Sequence, residues 1–290
     1  MIEHILAVRC KLGEGPLWDW RTQVLHWVDI DLHRLHRFDP ASGVHDQAEL
    51  PYAVAAIGLR AAGDLIVATR HGFATWKWTK RTLETILDPE AGRPTRFNDG
   101  AVDSAGRFWA GTIALDPERY HIPDNALYRL DPDGSVHLME SGLTISNGLG
   151  WSPDDRTMYL TDTVAQKIYA YDFDAERGVI GNRRDFVCTP DSPGYPDGLA
   201  VDAEGGVWSA RIAAGKIVRY DSQGCVDREI ALPVTCPTSC AFGGPDLDRL
   251  YITTSWHILS DSERTTQTQA GDLFAVSPGT KGRRAALFAG

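Results

Sequence analysis

Along the chain, short stretches that alternate apolar and polar residues recur with an apolar anchor at a regular interval. The anchors are Trp27 in LHWVDI, Val67 in LIVAT, Trp109 in RFWAGT, Tyr159 in TMYLTD, Trp208 in GVWSAR and Tyr251 in RLYITT, separated by 40, 42, 50, 49 and 43 residues. After each anchor comes a second alternating stretch: RLHRFDP, GFATWKW, ALYRLDP, KIYAYDF, KIVRYDS and DLFAVSP. Alternation with a period of two is the mark of a half-buried strand. A unit of about 40 to 50 residues that holds several short strands is the sequence form of a propeller blade.

The segments between the strands carry turn residues rather than long amphipathic runs, as in DSAG (103–106), DAEG (202–205), SPDD (152–155), DPDG (131–134) and DSQG (221–224). Glycine reverses the chain through positive φ, and Asp bonds its own backbone there, so these acids read as solvated loops. More polar outer strands are expected at 44–50, 82–87, 136–141, 183–188 and 225–232, with residues 3–9 or 283–288 completing the last blade. The expectation is an all-β, six-bladed β-propeller of four antiparallel strands per blade, one domain over residues 1–290, its ring closed by pairing of the chain ends so that no edge stays open.

Composition narrows the function without changing the fold. The chain has 290 residues, 43% hydrophobic and 23% charged, as in an ordinary globular protein. Its formal charge of −10 argues against nucleic acid or an anionic membrane surface as partner. Residues 1–9 lack the pattern of a secretory signal, and no stretch reaches the roughly 18 apolar residues of a membrane span, so a cytoplasmic protein is expected. The five cysteines, Cys10, Cys188, Cys225, Cys236 and Cys240, are odd in number and fit reduced thiols. Cys236 and Cys240 alone, with no second pair, make at most half a zinc site.

Counting back from each anchor to the start of the preceding strand gives Glu14 (13 residues), Ala56 (11), Asn98 (11), Asn147 (12), Asp197 (11) and Ser239 (12). In a propeller the first strand of a blade is innermost, so these residues head the strands that line the axis. Taken singly, each also fits a strand-end cap. Taken together, two carboxylates and two amides invite a hard cation, because Glu14 and Asp197 repel as anions unless a positive charge lies between them. Oxygen donors suit calcium, magnesium or manganese. Arg96, two residues before Asn98, offers forked donors on the same side of an extended segment.

Two blades carry long insertions, 112–125 and 254–271, which hold Asp116, Glu118, Tyr120, His121, Trp256 and His257 as candidates for a substrate rim. The chain has no G-x-S-x-G elbow, phosphate-binding loop, dinucleotide fingerprint or H-E-x-x-H helix.

The segments LGEGPLW, RFNDGAVD, AGRFWAGT, SNGLGWS, DGLAVDAEG and TSCAFGG, in this order across nearly the whole chain, resemble the SMP-30/gluconolactonase/regucalcin family. The resemblance implies a six-bladed propeller with one divalent metal (calcium, zinc, manganese, magnesium or iron) and hydrolysis of a sugar-acid lactone. It assigns Glu14, Asn147 and Asp197 to the metal, Asp197 also as proton acceptor, and Arg96 and Asn98 to the substrate. Where regucalcin-like members carry a Glu that touches the sugar, this chain has Asp116, a shorter carboxylate that alters the contacts to sugar hydroxyls. Glucono-, xylono-, arabinono- and galactonolactone all remain open as substrates. A phosphotriesterase and a non-catalytic calcium-binding regulator are the alternatives.

Overall fold

A computed structural model describes residues 1–290. Six four-stranded antiparallel sheets are arranged as a six-bladed β-propeller, with one extra short strand on the second sheet. Blades 1 to 5 take residues 13–49, 54–87, 95–143, 146–188 and 195–231, each in simple up-and-down order. Blade 6 takes 237–276 and borrows its outer strand, Glu3–Leu6, from the start of the chain.

The predicted second, third and outer strands all form, and the outer strand of blade 4 begins earlier than expected, at Val179. Of the two segments expected to complete the last blade, the N-terminal one does so. His4 pairs with Phe274 and Glu3 with Ala275. The C-terminal segment goes elsewhere: Leu287–Phe288 runs parallel to the inner strand of blade 2, opposite Leu59 and Arg60. Phe288 is buried among Phe73, Phe97 and Phe108, and the Arg60 guanidinium donates to the Gly290 carbonyl at 2.8 and 3.0 Å. Burial of an aromatic ring fixes the tail there.

The chain divides into two compact units of three blades each, residues 1–51 with 191–284, and residues 52–190 with 285–290. In the first, Trp208, Leu250, Ile252 and Phe274 pack between blades 5 and 6, and Trp18, Leu25, Trp27 and Tyr251 between blades 6 and 1. In the second, Phe73, Phe97 and Phe108 fill the space between blades 2 and 3, and Trp109, Trp151 and Phe173 that between blades 3 and 4.

In two of the Asp-rich turns the leading carboxylate is buried rather than solvated. Asp103, fully buried, accepts from the Trp109 indole at 2.8 Å and from Arg107 Nε at 2.6 Å. Asp202 repeats the device in the other unit, accepting from Trp208 at 2.9 Å and Arg219 Nε at 2.7 Å. The anchor indole needs a polar partner once buried, and the turn carboxylate supplies it. Arg219 donates further to Glu204 and Asp227, which compensates a charge taken out of water.

Blade 1 departs by one position from the count along the sequence. Trp109 pairs with Ala101 and Trp208 with Ala200, each three residues past the candidate Asn98 or Asp197. Three residues past Glu14 is Leu17, and it pairs with His26, not Trp27. Trp27 therefore points to the other face, where it stacks on His36 at 4.8 Å. This accounts for the longest of the six counts back from an anchor, the 13 residues from Trp27 to Glu14.

Candidate active site

Each inner strand carries a register irregularity at its leading end. The shift falls after Glu14 in Gly13–Asp19, after Val54 in Val54–Arg60, after Phe97 in Thr95–Val102, after Ser146 in Ser146–Trp151, after Pro196 in Tyr195–Val201 and after Pro237 in Pro237–Gly243. A β-bulge re-aims a side chain and ends regular pairing, and bulges gather at functional sites for that reason. Asn98, Asn147 and Asp197 each follow the last regular pair directly. In blades 2 and 6 that place belongs to Ala55 and Thr238, one residue before the expected Ala56 and Ser239, and in blade 1 Glu14 is itself the last paired residue.

In the first unit, Glu14 and Asp197 flank the inner strand of blade 6. Thr238 Oγ1 donates to the Gly13 carbonyl at 2.5 Å on one side. On the other, Gly198 meets Ser239 so closely that a Cβ would lie 2.1 Å from its hydroxyl. Burial pushes the thiol of Cys240, on that strand, up to about 12 and raises that of Cys236, the residue before the strand. Glu14 is 6% exposed and Asp197 5%. Glu14 Oε2 also accepts from the Gly15 N–H at 3.0 Å.

In the second unit, Arg96 and Asn98 form one group. Arg96 Nη1 donates to Asn98 Oδ1 at 2.9 Å and to the Phe97 carbonyl at 2.8 Å, so the guanidinium fixes the amide's orientation. Asn98 Nδ2 in turn donates to the Ser146 carbonyl at 3.0 Å, tying blade 3 to the residue before Asn147. Asn147 is 5% exposed; its Nδ2 donates to Thr163 Oγ1 at 3.1 Å and its Oδ1 accepts from the Gly148 N–H at 3.1 Å. Asp116 lies at the exposed start of the insertion, where its carboxylate accepts from the Glu118 N–H at 3.0 Å and caps the turn Pro117–Arg119.

One acid in this region escaped the sequence reading. Asp99, 8% exposed, accepts from the Gly100 N–H at 2.7 Å, and burial pushes its carboxyl up to about 7. Nothing in the string FNDG separates it from an ordinary turn acid; its burial is a tertiary effect. Carboxyls shifted toward neutrality by burial concentrate where proton transfer is needed.

Oxygen donors such as Glu14, Asn147 and Asp197 are of the type a hard divalent ion takes. All three are more than nine-tenths buried and all offer oxygen. Two buried carboxylates are costly in a medium of low polarity, and a cation offsets that cost. The half zinc site is not completed: Cys236 and Cys240 are free and buried, and no three His, Cys, Asp or Glu side chains gather as a ligand group.

Fold and donor set define a class, six-bladed propellers with buried oxygen donors at the heads of the inner strands. Residues 12–256 match the model of the SMP-30/Gluconolactonase/LRE-like region, and the chain belongs to this family. It is 37% identical to a pentonolactonase of Haloferax volcanii, over 97% of this chain and 96% of that one. A 6-deoxy-6-sulfogluconolactonase of Pseudomonas putida is 40% identical, over 96% and 95% of the two chains. The crystal structure of a calcium-binding protein, regucalcin, from Agrobacterium tumefaciens superposes with a TM-score of 0.93 at 28% identity, covering 98% of this chain and 96% of that one. No helix is long and apolar enough to cross a membrane.

Proposed function

We propose that the protein is a hydrolase of carboxylic ester bonds that opens a sugar-acid lactone to the free acid with the help of one divalent metal. Membership of a family whose relatives include a pentonolactonase and a sulfogluconolactonase supports the lactone. The observation that carries the reading is the pair Glu14 and Asp197, two buried carboxylates on the inner strands that neighbour that of blade 6 on its two sides. Glu14, Asn147 and Asp197 would hold the metal, which when bound would supply Lewis-acid polarisation of the lactone carbonyl.

The remaining roles fall to side chains. Asp197 accepts a proton from the attacking water. The water oxygen bonds to the carbonyl carbon, the ring C–O bond breaks, and the ring oxygen leaves as a hydroxyl after taking up a proton. Arg96 directs its forked donors at substrate oxygens and holds Asn98 ready to orient a sugar hydroxyl. Asp116 stands at the rim and reads hydroxyls further from the reacting carbon.

Acid release from a panel of glucono-, xylono-, arabinono- and galactonolactone tests this, with spontaneous hydrolysis subtracted and each divalent ion added in turn. Enzymatic release that stops on chelation and returns with metal is expected. Rates no faster than spontaneous hydrolysis with every lactone and ion would overturn the proposal.

A further inference from the structure

We infer that a second site, on the insertion of blade 6, binds a small organic anion: a carboxylate, sulfonate or phosphate ester on a sugar-sized body. A cavity of about 240 Å³ opens between the N-terminal segment and the insertion, lined by Arg9, Trp256, Arg264, Gln267, Thr268 and Ala270. Its volume lies a little below the roughly 300 Å³ at which pockets for drug-sized ligands begin, which suits a small ligand.

The polar lining is rich in donors. Two arginines face the space and no carboxylate lines it. The Arg9 guanidinium makes no hydrogen bond or ion pair within the protein, although the backbone around it is held firmly. Arg9 N–H donates to Asp272 Oδ1 at 3.0 Å, its carbonyl accepts from the Trp256 indole at 3.2 Å, and its φ is 50°. A non-glycine residue held in the left-handed region is a feature the surroundings must enforce, and such residues gather at ligand sites. Gln267 spends its Oε1 on Thr235, accepting from the backbone N–H at 2.8 Å and the hydroxyl at 3.0 Å, which leaves its Nε2 as a further donor.

The opposite wall is preorganised. Ser260 and Glu263 form a capping box at the start of the short helix Asp261–Thr266. From the last turn of that helix Arg264 lies over the Trp256 ring, its guanidinium carbon 5.0 Å from the ring centre. Asp261 takes one nitrogen of Arg264, and its carboxylate is almost fully exposed. Lys11 stands 6.0 Å from the same ring and pairs with Asp31 at 3.1 Å. An indole wall with two guanidinium groups suits a ligand that has both a flat or apolar body and a negative end. In a chain of net charge −10, a cavity lined by two arginines, of which only Arg264 has an acidic partner, stands out as a place for an anion.

This site is independent of the lactonase reading, and binding tests it without turnover. The metal-loaded protein is titrated with glucose 6-phosphate, gluconate and isethionate, with glucose as the neutral control, by calorimetry and by Trp fluorescence. At least one of the three anions is expected to bind saturably while glucose does not, and which one binds identifies the anionic group. The affinity should fall about tenfold in Arg9→Gln and further in the double variant Arg9→Gln/Arg264→Gln, and should weaken with added salt. Arg9 has no side-chain partner, so its single variant folds even if loss of Arg264 loosens the insertion. Binding should persist unchanged in Asp197→Asn, which separates this site from the one at the inner strands. No saturable binding by any of the three anions, unchanged affinity in Arg9→Gln, or loss of binding in Asp197→Asn overturns the inference.

Discussion

Gly198 lies so close to Ser239 that a single added methyl group would sit 2.1 Å from the serine hydroxyl and 2.4 Å from its Cβ. The inner strands of blades 5 and 6 can therefore approach only if position 198 carries no side chain, and this approach sets where Asp197 stands. Gly198→Ala should push the two strands apart and destabilise the protein by about 1–3 kcal/mol. Its lactone hydrolysis should fall by more than the loss of folded protein explains. Thermal melts alongside rates per folded molecule would measure both, and an unchanged melting temperature would count against the packing argument.

Glu14→Gln and Asp197→Asn keep the shape of the side chain and remove one negative charge each. If the two carboxylates hold the metal, each variant should lose activity by on the order of a hundredfold or more. Bound metal measured after dialysis should fall in parallel. Retention of full activity by both would sink the assignment.

Arg96 acts both on substrate and on Asn98, which it holds at 2.9 Å. Arg96→Ala should raise KM about tenfold and lower kcat as well, with metal content unchanged. Arg96→Lys should restore little, since a single ammonium cannot reproduce the fork that reaches Phe97, Asn98 and a ligand together. Steady-state kinetics on both variants decide this.

Asp202 is fully buried and serves Trp208, Arg219 and the Gly206 N–H at once. Asp202→Asn leaves the Arg219 charge less compensated in a buried place and should cost about 3 kcal/mol. Denaturant titration would read it, and an equal loss is expected for Asp103→Asn in the other unit, where Arg107 and Trp109 share the acid.

Acid should destabilise the fold through its buried histidines. Burial lowers His26 from 6.5 to about 4, and burial together with His45 and Arg34 lowers His36 to about 3. Both are neutral when folded and take up a proton on unfolding below about pH 6.5. Stability is therefore greatest above pH 6.5 and falls as the pH drops from there toward 4. At full titration His26 alone corresponds to about 3 kcal/mol. Melting temperatures across this range should fall less steeply in His26→Leu; an identical slope would remove His26 as a cause.

The sequence by itself determined the number of blades, the position of nearly every strand and, in blades 3, 4 and 5, the residue that follows the last regular pair of the inner strand. Those features are local: a period of two marks a strand, Asp and Gly mark a turn, and six repetitions of one unit leave few other folds. The family motifs added roles to Glu14, Arg96, Asn98, Asp116, Asn147 and Asp197. Register was not legible, because a shift of one residue moves a side chain to the other face without changing composition, and this is how His26 and not Trp27 came to occupy the anchor position of blade 1. Burial of Asp99, Asp103 and Asp202 was equally hidden, since the same letters serve solvated turns elsewhere in the chain. Only the tertiary structure decided that Leu287–Phe288 joins blade 2, that the inner strands of Glu14 and Asp197 neighbour that of blade 6, and that Arg9 and Arg264 line one cavity. Each depends on contacts between residues far apart in the chain, which packing selects and local pattern does not encode.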